Sequence, residues 1–283
     1  MKTVLGIDAA WTPGNPSGVA LVQGVGRKWK CLGVAPSYES FISLADGRPV
    51  DWKMNRFDGT PPDVSRLLQA ARELAKREVD LVAIDMPVSN ARITGRRRAD
   101  NRVSEVFGGR NCATHSPSAE RPGKMGEKIA KGFAEAGNKL VTEMDSPPTS
   151  PGLIEVYPHP ALLSLLKLNE RAMYKSSKSR SYWPEASLDE RIRNLIAMHK
   201  KIKDALSERF EGLNGLISIR KVESLSHLKK VEDALDALIC AWVGIEYLAG
   251  RTVPLGDRTA AIWCPADVAV SYTHLTLPTS DLV

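Results

Sequence analysis

The sequence predicts an α/β fold built on a mixed sheet, and three observations predict it. Residues 3–8, 18–23 and about 30–35 are short β runs joined by brief Gly-, Pro- or charge-bearing connections, the pattern of an antiparallel meander. The stretch "PPDVSRLLQAARELAKREV" sets Val64, Leu67, Leu68, Ala71, Leu74 and Ala75 at helical spacing behind a start that carries prolines and Asp63. The run "VDLVAIDMP" at 79–87 then reads as a strand buried on both faces, so the helix before it implies a crossover to a parallel strand.

The remaining elements follow in order. Residues 36–60 are irregular, with aromatics and Gly/Asp turns, and 90–150 read as an insertion that is basic at first, has a helix near 123–136 and ends in the loop "DSPPTSPG". A β run, "LIEVY", precedes "PHPALLSLLKL", where Pro160 suits a helix start. Residues 184–210 form a charged, solvated helix, and "SHLKKVEDALDALICAWVGIEYLAG" is a helix of about six turns closed by Gly250. With no internal repeat or linker, residues 1–267 are expected to be a single domain with an insertion at about 90–150. Beyond "AIWCPAD" the character changes: the segment 268–283, with "VSYTHLTLPTSDLV", resembles translated sequencing-adapter sequence and is read as a non-native or disordered tail.

The totals set limits on function. A chain of 283 residues that is 43% hydrophobic can bury a substantial core, and 25% charged residues argue against wholesale disorder. No apolar run reaches the ~18 residues of a membrane span, and the N-terminus enters a strand directly, so a cytoplasmic protein without a membrane partner is expected. Four dispersed cysteines without a C-x-x-C pair read as reduced thiols. The net charge of +6 is compatible with a polyanionic partner and common among proteins that bind none.

The carboxylates carry the functional expectation. Asp8 and Asp85 are each the first charged residue after an apolar strand, so parallel neighbouring strands would bring both to one carboxyl edge, where open α/β sheets place their sites. Either one alone would be an ordinary turn residue. On the last helix Asp233 and Asp236 share a face that continues with Ala237, Cys240, Ala241 and Gly244, small residues that let another backbone approach, while Leu228, Val231, Leu235, Leu238 and Trp242 form the core face. Four carboxylates without a Cys/His set favour Mg²⁺ or Mn²⁺. A pair of such ions suits in-line phosphoryl displacement, hence phosphodiester chemistry.

The segments "GIDAA", "AIDMP", "RRADNR", "EVYPHPALL", "DALDALICAWVG" and "AIWCP" stand in the order in which the domain-of-unknown-function 429 family carries them, and the chain resembles that family over roughly residues 3–265. The resemblance implies a ribonuclease H-like (RuvC/integrase-type) fold, with a mixed five-stranded sheet of three antiparallel strands then parallel strands, flanked by helices. It also implies nuclease activity. The placement of acids is similar to that of RuvC-type junction resolvases, one after the first strand, one after the fourth and two at i, i+3 on the last helix. Carried over, Asp8, Asp85, Asp233 and Asp236 would be catalytic metal ligands. Glu155 is a further candidate catalytic acid, or the polar alternate of an edge strand.

Arg96, Arg97, Arg98 and Arg102, with Arg92, gather just beyond Asp85 and are candidate contacts for substrate phosphate, although such a run also suits a solvated face. Lys124, Lys128 and Lys131 form a weaker second patch, His159 is a candidate acid/base, and the C-x-x-H of "CATH" falls short of a zinc site. The leading expectation is a metal-dependent nuclease acting on nucleic acid, as a monomer or a homodimer. An ATP-dependent phosphotransferase of the actin/sugar-kinase type and a non-catalytic nucleic-acid-binding protein of the same fold are the alternatives.

Overall fold

A computed structural model describes residues 1–54, 56–145, 148–217, 219 and 224–269. In chain order the elements are β1 (Lys2–Asp8), β2 (Gly18–Val25), β3 (Lys28–Ala35), α1 (Tyr38–Ala45), α2 (Val64–Ala75), β4 (Leu81–Asp85), α3 (Arg98–Phe107) and α4 (Lys124–Glu135). They continue with β5 (Gly152–Val156), α5 (Pro158–Leu166), α6 (Ser179–Tyr182), α7 (Leu188–Ser207), β6 (Phe210–Glu211), α8 (Leu225–Leu248), β7 (Thr252–Gly256), β8 (Ala261–Pro265) and α9 (Ala266–Ala269). Of the segment 268–283, Val268 and Ala269 are buried in α9, and the rest lies outside the described residues.

The described strands make one mixed sheet in the order β6-β3-β2-β1-β4-β5-β8-β7. β1, β2 and β3 are antiparallel neighbours, and β4 and β5 extend the sheet parallel to β1. The sheet therefore has eight strands rather than the expected five. β8 pairs parallel with β5 and brings β7 antiparallel to the edge, while β6 adds two residues beside β3. Pro254 disguises β7 in the sequence, and proline is tolerated there because β7 is an edge strand.

Several helices differ from expectation for local reasons. Within the stretch read as irregular, Ser37 caps α1 by accepting the Ser40 N–H at 3.2 Å. α5 starts at Pro158, two residues earlier in the "PHP" run than Pro160. α7 is capped by Ser187 and Glu190 and is not wholly solvated, since Ile192, Leu195, Ile202 and Leu206 are buried. The region 90–150 is partly built into the layers: α4 packs Ile129 and Phe133 against the α2 side, and α3 packs Val103 and Phe107 against the β7–β8 side. No helix among the described residues is long and apolar enough to cross a membrane.

The two-residue period of the strands decides where the acids point. Leu5 and Ile7 belong to the core shared with α1, α2 and α4, whereas Val4 belongs to the core shared with α5, α7 and α8. Gly6 and Asp8 follow Val4 in that alternation and face α8. A Cβ on Gly6 would stand 2.1 Å from the Ala237 carbonyl oxygen and 2.6 Å from the Ala241 nitrogen, so the helix backbone lies directly on the strand. This is the close approach that the small face of α8 predicts. Gly6→Ala is expected to lower stability by about 1–3 kcal/mol, read from urea unfolding, because helix and strand must separate. An unchanged midpoint would show that the contact can relax.

Candidate functional site

Asp8 and Asp85 are register partners at the carboxyl ends of parallel β1 and β4, which sets their Cα atoms roughly 4.8 Å apart. Asp8 is also opposite Gly18 of β2, and a Cβ on Gly18 would meet the Asp233 carbonyl oxygen at 2.0 Å. The turn of α8 that carries Asp233 therefore lies over the ends of β1 and β2. Asp8, Asp85 and Asp233 line one cleft of about 640 Å³, together with Trp11, Arg121 and Lys229. Asp236 does not line this cleft. It is fully buried one helical turn on, where Tyr174 Oη donates to its Oδ1 at 2.7 Å and Lys175 Nζ to its Oδ2 at 2.5 Å.

Glu232, also buried, joins the cluster. It accepts from the Ser176 N–H at 2.7 Å and from Lys229 Nζ at 3.2 Å, and it lies 3.5 Å from Lys175 Nζ. Lys229 reaches forward one turn to pair with Asp233 as well. Fully ionised, five carboxylates against two ammonium groups leave three negative charges uncompensated. Burial, and then the Asp236 charge, push Asp8 up to about 6. Burial and the neighbouring Asp8 raise Asp85 well above the usual carboxylate range, and Asp233 is raised by burial, against the pull of Lys229. Glu232 goes the other way, because Lys175, Lys229 and the Ser176 N–H outweigh its burial.

The donors are all oxygens, the chemistry a hard divalent cation prefers. Among the described residues, however, no group of three or more His, Cys, Asp and Glu side chains closes on a single ion position. Lys229 draws Asp233 aside, and Tyr174 and Lys175 hold Asp236. The donor set suits Mg²⁺ or Mn²⁺ in kind, while the compensation seen in the structure comes from lysines.

A carboxyl whose pKa rises from 3.8 to about 6 on folding binds more protons folded than unfolded across that window, so it costs stability as pH rises through it. Asp8→Asn should therefore stabilise the metal-free protein at pH 7.5 by about 1–3 kcal/mol, with the gain vanishing toward pH 4. Melting curves of both proteins across pH test this. A gain that is absent, or that grows in acid, would show that Asp8 is not strained.

Glu155 lies outside this cleft, in the lining of the pocket beside it. It alternates with Ile154 and Val156, which face the α8 side, so its carboxylate points through the opposite face of the sheet. There Arg97 grips it with two bonds of 2.6 Å, and the Val88 N–H donates to it at 3.1 Å. Burial still raises Glu155 despite the Arg97 charge. The same guanidinium bonds Asp100 at 2.8 Å, so Arg97 is an internal ion-pair residue.

The rest of the arginine cluster also stands apart from the cleft. Arg96 donates to Asn101 Oδ1 at 2.7 Å, to the Asp100 carbonyl at 2.9 Å and to the Thr114 carbonyl at 3.3 Å, and Arg98 and Arg102 both pair with Glu105. Arg92 lines a different surface hollow with Glu127, and Lys124, Lys128 and Lys131 are exposed on α4. The cations that line the cleft and the pocket beside it are Arg121, Arg171, Lys175, Lys178 and Lys229. The signal for three of them was the basic spacing in "RAMYKSSK", a polar segment between helices that tertiary folding alone carries to the Asp edge.

No curated protein and no solved structure matches the chain. The family model described as "Protein of unknown function (DUF429)" matches residues 6–260, a span that includes Asp8, Asp85, Glu155 and the acidic turns of α8, and the chain belongs to that family.

Proposed function

We propose that the protein is a divalent-metal-dependent nuclease of ribonuclease H-like fold that hydrolyses phosphodiester bonds in nucleic acid. The observation that carries this reading is the in-register pair Asp8 and Asp85 lining one cleft with Asp233. Three antiparallel strands followed by parallel β4 and β5, with α8 laid across their ends, support the fold. Asp8, Asp85 and Asp233 would hold Mg²⁺ or Mn²⁺, which when bound supplies an activated water and a partner for the leaving oxygen. Lys229 pairs with Asp233 at the strand ends and opposes the burial that raises its carboxyl. Tyr174 and Lys175 fix Asp236 behind it, so that its charge acts on Asp8 through a buried, low-dielectric path. Trp11 and Arg121 wall the cleft, with the Arg121 guanidinium 5.9 Å from the centre of the Trp11 ring, a surface suited to a base and its phosphate.

The test is a panel of single-stranded, duplex, hybrid and four-way-junction substrates in Mg²⁺ and Mn²⁺, alongside melting curves with each ion. Metal-dependent cleavage and a metal-dependent rise in Tm are expected. Failure to cut any substrate would remove the reading, and stabilisation specific to ATP would favour a phosphotransferase.

A further inference from the structure

Beside the cleft lies a second pocket of about 250 Å³, continuous with it because Trp11, Asp85, His115 and Lys229 line both. Its acidic lining is largely spent: Arg97 binds Glu155 and Asp100, and Lys175, Lys229 and the Ser176 N–H bind Glu232. Two of its four cations, Arg171 and Lys178, are not. Among the described residues the half-buried Arg171 guanidinium has no hydrogen bond or ion pair, and its Nε is buried without a partner. Lys178, exposed at the rim, has no ion pair among them either. Arg171, Lys178 and His115 line the same pocket, and burial together with these two charges disfavours protonation of His115.

The floor adds an independent observation. His159 is 4% exposed, wedged edge-on between Tyr157 at 5.2 Å and Tyr174 at 5.5 Å, and its Nδ1 has no partner. A buried ring nitrogen without a bond costs about 1–3 kcal/mol unless something binds it, and here it belongs to a residue lining the pocket.

We propose that this pocket binds a phosphomonoester, the terminal phosphate of a nucleic-acid strand, through Arg171, Lys178 and His159. The choice of a strand rests on the nuclease reading; the choice of phosphate does not. A terminal phosphate carries about −1.5 to −2 charges at pH 7, matching two free cations, whereas an internal diester carries one and needs an exit for both arms. At about 250 Å³ the pocket is smaller than the ~300–1,000 Å³ that encloses a whole ligand, which suits a phosphate and part of its ester. The strand end would be anchored here, with the following linkage lying toward Asp85.

Fluorescence anisotropy in EDTA, with short single strands carrying a 5′-phosphate, a 3′-phosphate or hydroxyls only, tests this without turnover. One phosphorylated end is expected to bind at least about 5–10-fold tighter than the hydroxyl strand, with inorganic phosphate competing. Arg171→Gln and the exposed Lys178→Gln should each erase that preference while melting within a few degrees of wild type. Equal affinities for all three strands, or an unchanged preference in Lys178→Gln, would overturn the proposal. Competition by inorganic phosphate or a mononucleotide without any gain from a strand-end phosphate would overturn the assignment to a strand. Asp8→Asn separates the two readings: it should lose cleavage yet keep the end-phosphate preference, because Asp8 lines only the larger cleft.

Discussion

Asp8→Asn, Asp85→Asn and Asp233→Asn are each expected to lower metal-dependent cleavage by about 10³-fold or more, since each removes a charge from the group that would hold the cation. Asp236→Asn is expected to lower it less, roughly 10–100-fold, because its oxygens are engaged by Tyr174 and Lys175 and it would act through its neighbours. Single-turnover rates in Mn²⁺ across the four variants give the ranking. An Asp236 effect as severe as that of Asp8 would move it into the cleft, and an active Asp8→Asn would end the nuclease assignment. Misfolding would not account for a loss of cleavage in Asp8→Asn, because relief of buried like charge is expected to make that variant the more stable protein at neutral pH.

The meeting of Asp8, Asp85 and Asp233 at one cleft was legible in outline. Strand-end Asp8 and Asp85 and the i, i+3 pair on α8 could be read from apolar runs and helical spacing, because both patterns are local and periodic. Gly6 and Gly18 show why the placement holds: only glycine lets α8 lie on β1 and β2, and the small face of α8 answers them. What was not legible depends on parity and on long loops. Glu155 sits within the same kind of β run that Asp85 ends, but register pairs it with Ile84 and places it on the opposite face, and nothing in "LIEVY" reports register. Lys175, Lys229 and Arg171 were equally hidden, since a surface lysine and one that compensates a buried aspartate have the same local sequence. The added edge strands went unseen because β6 has two residues and β7 contains proline.

Arg97→Ala is expected to cost about 3–5 kcal/mol of unfolding free energy, the largest stability loss among the arginines of its cluster. The Arg97 side chain is 8% exposed and holds Glu155 and Asp100, whose side chains are 4% and 2% exposed, so its removal leaves two buried carboxylates without a countercharge. It also removes the donor to the Val88 carbonyl at 2.8 Å, which ties the segment after β4 to the start of α3. Glu155, already raised by burial, would rise further, so the loss should be greatest at neutral pH and shrink as acid protonates it. Glu155→Gln should cost less, because Arg97 keeps Asp100. Arg98→Gln and Arg102→Gln, whose partner Glu105 is half-exposed, should stay within about 0.5 kcal/mol of wild type. Urea unfolding of the four variants at pH 5 and 7.5 measures the set. A cost below about 1 kcal/mol for Arg97→Ala, joined by weaker oligonucleotide binding, would return Arg97 to the role of phosphate contact. The bidentate grip on Glu155 argues for the opposite outcome, in which this arginine holds the β4–β5 edge together and leaves substrate to the cations around the cleft.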